Sequence, residues 1–314
     1  MSRRPPRRVE VTARAKLNLG LVVGPRRSDG FHDLVTIFQS VSLADTLVAE
    51  RRASGFTLAV SHKRAGVGGG AAPGADPVVP AGADNLVLRA ARLVAERLGL
   101  PGGARFRLVK RIPVRSGLGG GSADAAAAVA AMLALHGRRI TRGRRIALAA
   151  ELGSDVPFAA TGGTALGMGR GERLTRLHLA RPFRAVVVVP RWRISTALAF
   201  RRIDDTKYGL TLWEPTLRFA ASLGRKRVTA SNASRLGNTF ERVLGRQRHH
   251  FDLLCARMRT AGLLDPRLTG SGSGVFGMVP ALAPAQEIAG RLQGLGSVFV
   301  VRSTGRGLRL RTQP

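Results

Sequence analysis

The run Pro113-Val114-Arg115-Ser116-Gly117-Leu118-Gly119-Gly120-Gly121-Ser122 places four glycines within five positions, directly before the alanine-rich stretch ADAAAAVAAMLALHG. Glycine adopts positive φ without a Cβ penalty, so such a loop turns its backbone N–H groups inward and lets an anion approach closely. The stretch that follows favours helix, and a helix start adds unpaired N–H groups and the positive end of its dipole. The combination reads as a phosphate cradle. The alternative, a tight turn in which glycines merely permit packing, explains the loop less well once the helix is included. No Gly-Lys pair exists for a Walker A loop, and Ser122 stands where a dinucleotide fingerprint needs its third glycine. Neither His-Arg-Asp nor Asp-Phe-Gly, the protein-kinase signatures, occurs.

The stretch PVRSGLGGGSADAA resembles the Pro-x-x-x-Gly-Leu-Gly-x-Ser-x-Ala loop of the GHMP kinases. Further segments, AKLNLGLVVGPRRSDGFHDLVTIFQSVSLADTL, DNLVLRAARL, LGSDVPFAATGGTALGMGRGERL, GNTFERVL and LTGSGSGVFGMV, are similar to one branch of that family, whose substrate is a cytidine-diphosphate methylerythritol. The resemblance runs, with gaps, from about Ala13 to Val279. It implies ATP with Mg²⁺, and transfer of a phosphoryl group to the 2-hydroxyl of that acceptor in the non-mevalonate isoprenoid pathway. It also implies an α/β (α+β) fold in two lobes, residues 1–180 like ribosomal protein S5 domain 2 and residues 181–314 ferredoxin-like, with the site between them. Another family member acting on a different alcohol is the nearest alternative, and a basic nucleic-acid-binding protein the alternative from another class.

Carried onto this chain, the resemblance makes Asp155 in LGSDVPF the group that accepts the hydroxyl proton; on residue type alone it would be a cap or turn aspartate. Lys16 in AKLNL would keep that carboxylate ionised and stabilise charge in the transfer; otherwise it is a solvated strand lysine. Asn18, two residues on, shares its side of a strand and would hold substrate. Phe31 and His32 stand where the family has a Tyr-His pair against the cytosine, so stacking survives while a hydroxyl is lost. Ser195 and Thr196 match a substrate-side segment. The nucleotide would be held by Pro113 through Ser122 and Ala123, with Asp84 and Asn85 near the adenosine or capping the next helix. Ser122 would contact phosphate or Mg²⁺, or cap the alanine helix; Arg115 would touch phosphate or point outward. Asp124 suits the helix dipole better than a metal. No acidic residue matches the family's metal ligand, and the metal set stays open.

These residues need elements to hold them. VEVTARAKLNLGLVV and VTIFQSVSLADTLVAE read as strands around the loop GPRRSDGFHD. LVLRAARLVAERLGL carries a helical apolar face and stops at Pro101-Gly102-Gly103. ARFRLVKRIPV then forms a strand into the glycine loop. Another helix runs from an N-cap at Thr141 to Leu152 and ends at Gly153. FRAVVVVP at 183–190 is a buried strand, 238–261 a helix, 274–279 and 297–302 short strands, and Gly270–Gly274 a second anion-friendly turn. The Gly-, Ala- and Pro-rich tract 65–84 is a mobile surface insertion.

The 314 residues, 44% apolar, suffice for one large or two ordinary domains. No run of eighteen uncharged apolar residues and no signal-peptide h-region appear, so a cytoplasmic protein without a membrane partner is expected. The lone Cys255 excludes an internal disulfide or a multi-cysteine zinc site. The formal charge of +32 comes mostly from arginine, scattered along the chain with clusters such as 3–8, 142–145 and 225–227. A field of that size steers polyphosphates as readily as it attracts nucleic acid, and no nucleic-acid module accompanies it. The partner expected is therefore the small-molecule substrate, with no specific nucleic acid, for a monomer or homodimer.

Overall fold

The computed structural model describes residues 5–63, 66–67, 79–206, 213–223 and 227–313. Two long antiparallel strands, β1 (Arg8–Arg26) and β2 (His32–Arg52), form its spine. They are followed by β3 (Phe56–His62), α1 (Leu86–Leu98), β4 (Gly103–Lys110), α2 (Gly120–Leu135), α3 (Arg142–Leu152), α4 (Val156–Thr161), β5 (Thr164–Met168) and β6 (Arg173–Leu177). A seven-stranded sheet results, ordered β11-β1-β2-β4-β3, with β5 pairing β2 and β6 pairing β5; here β11 is the last strand, Leu308–Gln313. Helix α2 packs on β1, β2 and α1. It is apolar on all sides, as a helix sealed between other elements must be.

A second, four-stranded antiparallel sheet has the order β10-β7-β9-β8, from β7 (Arg184–Val189), β8 (Leu264–Leu268), β9 (Val275–Met278) and β10 (Ser297–Arg302). Around it lie α5 (Thr196–Thr206), α6 (Trp213–Leu223), α7 (Ala230–Ser234), α8 (Arg248–Thr260) and α9 (Ala285–Gly290). Each sheet has its own core, one built on Phe106, Leu17 and the alanines of α2, the other on Met258, Val188 and Val275. The two-lobed α/β architecture that the resemblance implies is thus present. The first sheet breaks off after Leu177 and the second begins at Arg184, but β11 returns to pair with β1, so the final residues belong to the first sheet.

Local signals account for most element ends. Asn85 caps α1, its Oδ1 accepting from Val87 N at 2.9 Å, and Gly99 closes that helix in the left-handed region at φ 57°. The stop therefore comes two residues before Pro101. Thr141 caps α3 through Arg144 N. The single helix expected over 238–261 is instead two 3₁₀ turns, Thr239–Val243 and Gly245–Gln247, leading into α8. Asn238 explains the break: its Oδ1 accepts from Phe240 N while its Nδ2 donates to Leu268 O and Gly270 O, anchoring it to the second glycine turn. Gly245 at φ 53° interrupts what remains. Most of the tract 65–84, namely residues 65 and 68–78, lies outside the described residues.

Candidate active site

Strand β1 departs from regular pairing with β2 between Arg14 and Lys16 and again between Asn18 and Gly20. Such bulges re-aim side chains, and the two here bracket Lys16 and Asn18. Both are buried, and Lys16 Nζ donates to Asn18 Oδ1 at 2.5 Å. Asn18 Nδ2 donates in turn to Thr36 Oγ1 at 2.8 Å, and Thr36 Oγ1 to Gly20 O, so the amide cannot rotate without losing a chain of bonds. The ammonium lies 5.5 Å from the Phe38 ring centre and 3.3 Å from Asp155 Oδ2. Asp155 occupies the N-cap position of α4, yet its side chain makes no capping hydrogen bond. Its carboxylate is 33% exposed and faces Lys16. An ion pair open to solvent on one side only is suited to receive a hydroxyl.

The glycine loop lies against Lys16 and lines one cavity with the pair. Gly117 and Gly119 have φ of 77° and 71°. A Cβ on Gly117 would lie 1.9 Å from Thr269 O, which excludes a side chain there, and one on Gly119 would lie 3.0 Å from Lys16 Cγ, so that the lysine would have to shift. The second glycine turn backs the loop, with Gly274 N donating to Ser116 O at 3.0 Å and Thr269 Oγ1 to Gly117 O at 3.3 Å. Gly119 is the N-cap of α2, and the first helical bond runs from Ala123 N to Gly119 O. The N–H groups of Gly120, Gly121 and Ser122 precede that bond and are left for a ligand. They border a cavity of about 420 Å³, also lined by Pro113, Val114, Arg115, Ser116, Gly117, Gly119, Asp84 and Asn85.

Three expectations need correction here. Leu118 in the loop and Ala123 in the first turn of α2 are each 1% exposed and belong to the core, so they support rather than line the cavity. Ser122 is the third residue of α2 and does not cap it. Asp124 does more than complement a dipole. With Lys110 and Asp45 it forms a sealed cluster, Lys110 Nζ donating to Asp45 Oδ2 at 2.5 Å and to Asp124 Oδ2 at 2.6 Å, beside the same cavity. Burial works against the Lys110 charge, but the two carboxylates outweigh it and raise its pKa. Burial, opposed by Lys110, pushes the Asp124 carboxyl well above the usual range, and among the described residues its Oδ1 has no hydrogen-bond partner. Asn85 both caps α1 and lines the cavity, while Arg115 at φ 55° is exposed at the rim.

A second cavity of about 330 Å³ adjoins the first, sharing Gly117 and Gly119. It is lined by Lys16, Asn18, Phe31, His32, Asp155 and Thr196. Thr196 Oγ1 and Ser271 Oγ lie 2.7 Å apart. Ser195 stands outside the lining, its Oγ accepting from Leu198 N at the start of α5. Phe31 is half exposed beneath the Arg170 guanidinium, which sits 3.7 Å from the ring centre. His32 is buried, stacked on Phe200 at 5.0 Å, with Nε2 2.7 Å from Asp204 Oδ1. Arg170, Phe200, Asp204, Thr36 and Thr269 were not legible as site residues. They approach from distant parts of the chain, and only the spacing of Phe200 and Asp204, four residues apart on a helix, hinted at a shared face.

Residues 85–163 match the family described as GHMP kinases N terminal domain. The chain is 38% identical over 297 residues to the 4-diphosphocytidyl-2-C-methyl-D-erythritol kinase of Pelotomaculum thermopropionicum, covering 94% of this chain and 98% of that one. It is 39% identical over 281 residues to the enzyme of the same name from Moorella thermoacetica, covering 90% and 93%. A solved 4-(cytidine 5'-diphospho)-2C-methyl-D-erythritol kinase superposes with a TM-score of 0.73 at 37% identity, covering 94% of this chain and 99% of that one. The L. major mevalonate kinase, at 17% identity and a TM-score of 0.68 over 97% and 99%, shares the fold. With the glycine loop, the Lys16–Asp155 pair and these likenesses taken together, the chain belongs to the GHMP kinase family, among the 4-diphosphocytidyl-2-C-methyl-D-erythritol kinases.

Proposed function

We propose that the protein transfers the γ-phosphoryl group of ATP to the 2-hydroxyl of 4-diphosphocytidyl-2-C-methyl-D-erythritol. The observation that carries this reading is the Lys16–Asp155 pair at the point where two cavities meet across Gly117 and Gly119. The glycine cavity suits the triphosphate, because glycine backbone forms part of its lining and a helix N-terminus opens onto it. The adjoining cavity suits the acceptor, since aromatic and imidazole groups line it together with the ion pair.

In this reading the acceptor hydroxyl lies against Asp155, which takes its proton as the oxygen bonds to the γ-phosphorus. The bond from that phosphorus to the bridging oxygen breaks, and ADP leaves with the electron pair. Lys16 keeps Asp155 ionised before transfer and offsets charge on the phosphoryl oxygens during it. Asn18 fixes the ammonium in place. Mg²⁺ would neutralise the nucleotide phosphates. Among the described residues there is no cluster of three metal-ligating side chains, so the protein oxygens that fit it are the Ser122 hydroxyl and the unpartnered Asp124 Oδ1, both at the cradle. The remaining coordination would come from phosphate and water. Among the described residues no helix is long and apolar enough to cross a membrane.

A coupled ADP-release assay against a panel of alcohols tests the proposal. ADP formation should depend on the cytidine-diphosphate acceptor. Formation that requires mevalonate, homoserine or a sugar instead would reassign the acceptor within the family.

A further inference from the structure

One face of the first sheet is packed and the other is open. Along β1, Val9, Val11 and Ala13 are buried in the core that α1 and α2 complete, while Arg8, Glu10, Thr12 and Arg14 alternate with them on the opposite side. Register carries that side across the sheet. Glu50 and Val48 of β2 stand opposite Arg8 and Glu10, and Arg105 and Arg107 of β4 stand opposite Glu50 and Val48. On the other flank, Arg309 and Arg311 of β11 stand opposite Thr12 and Glu10. Two exposed basic rows result, on β4 and on β11, with β1 and β2 between them. Three strand spacings separate the rows, about 14 Å. Countercharge is scarce. Glu50 alone is shared by Arg8 at 3.8 Å and by Arg105 and Arg107 at 2.6 Å each. Among the described residues Arg309 and Arg311 form no ion pair. Arg14, Arg302 and Arg309 crowd one another: burial, then the two neighbouring charges, lower the Arg14 pKa, and Arg14 Nε has no hydrogen-bond partner among the described residues. Like charges set side by side on a sheet cost stability, and an anion on this face would relieve that cost.

We propose that the open face of the first sheet docks double-stranded nucleic acid, its two arginine rows holding phosphates on either side of one groove without sequence preference. The distance between the rows is close to the width of a B-form major groove, about 12 Å. Arginine suits phosphate because its planar fork donates two parallel hydrogen bonds. The side chains among the rows are small or short, Thr12, Thr46 and Val48 on the middle strands and Thr57, Ala59 and Ser61 on β3. None is aromatic, so the face has no platform on which unpaired bases could stack, and none is long and apolar enough to enter a bilayer. No helix or ribbon rises from these strands to read base edges, which leaves contacts that position a duplex without selecting its sequence. None of these arginines lines either cavity of the active site, so a docked duplex leaves both open.

The test must separate this face from the net charge of +32 carried by the whole chain. Fluorescence anisotropy with a labelled DNA duplex of mixed sequence is recorded over a salt series. The wild-type protein should bind with a Kd of about 10⁻⁶ to 10⁻⁴ M near physiological salt. The double variant Arg107→Gln/Arg309→Gln removes one guanidinium from each row, and the slope of log K against log salt should fall by about 2. The control Arg142→Gln/Arg145→Gln removes the same charge from exposed positions of α3, on the helical side of the sheet, and should leave the slope unchanged. ADP formation should be the same in both variants. A control that lowers the slope as much as the row variant overturns the proposal, since net charge alone would then explain binding. A single strand of equal length that binds more tightly than the duplex also overturns it. So does a wild-type protein that ignores the duplex yet floats with phosphatidylserine vesicles and loses that binding in Arg107→Gln/Arg309→Gln, which would assign the face to a membrane surface.

Discussion

Replacing Asp155 with asparagine separates two roles that the structure keeps apart, chemistry and folding. The carboxylate makes no capping bond to α4, and among the described residues its one ionic contact is Lys16 at 3.3 Å. With a third of the side chain exposed, that pair belongs with solvent-screened ion pairs, which contribute about 0–1 kcal/mol. Lys16 keeps its bond to Asn18 and its place near Phe38 in the variant. The expected loss of stability is thus no more than about 1 kcal/mol. The catalytic effect should be far larger, because an amide cannot take the hydroxyl proton. General-base removal typically costs about 10²- to 10⁴-fold in turnover. Since Asp155 lines the acceptor cavity and not the glycine cavity, KM for ATP should barely move. Urea unfolding paired with steady-state ADP release measures all three quantities on one preparation. The reasoning is refuted by a variant that retains more than about a tenth of wild-type kcat, against the loss expected for a general base. It is equally refuted by one whose activity loss merely tracks several kcal/mol of destabilisation.

Three further outcomes follow from the same geometry. Gly119→Ala must hold alanine at φ 71° with its Cβ 3.0 Å from Lys16 Cγ; it should lose about 1–2 kcal/mol in urea unfolding and lower kcat as Lys16 shifts from Asp155. Ser122→Ala removes a hydroxyl inside the first turn of α2 that caps nothing, so stability should change by no more than about 0.5 kcal/mol, while the Mg²⁺ concentration needed for half-maximal rate rises. Cys255 is buried, and burial pushes its thiol up to about 12; it should resist alkylation at pH 8 in the native protein and react once urea unfolds the chain, as mass spectrometry would report.

Much of this site could be read from sequence where the signal is local. The glycine loop, the helix after it, the Asn85 and Thr141 caps, and the common side of Lys16 and Asn18 all depend on neighbours a few residues away. The direction of a side chain within an irregular loop does not. Leu118 sits in the glycine motif yet is buried, its carbonyl accepting from Lys16 N on β1, and Ala123 is on the buried side of the first turn of α2; tertiary packing decides what the motif leaves open. Ser195 matched a substrate-side segment but is spent at the start of α5. The His32–Asp204 bond spans 172 positions and the Lys110–Asp45 bond 65, and no periodicity reports such pairs. The segment expected as one helix starts as a 3₁₀ turn at Asn238, which bonds to the second glycine turn, and is interrupted again at Gly245 with φ 53°, so tertiary bonding and a left-handed glycine overrode local propensity. The return of β11 to the first sheet is likewise a matter of topology.

The central claim, that the cradle and the Lys16–Asp155 pair deliver a phosphoryl group to one hydroxyl, is tested most directly by identifying the product. Purified protein, ATP, Mg²⁺ and 4-diphosphocytidyl-2-C-methyl-D-erythritol would be incubated together, and the products resolved by phosphorus-31 and carbon-13 NMR. The account predicts one new phosphomonoester on the carbon that bears the 2-hydroxyl, formed in equal amount with ADP. ADP without that ester, or an ester on another carbon, would contradict it.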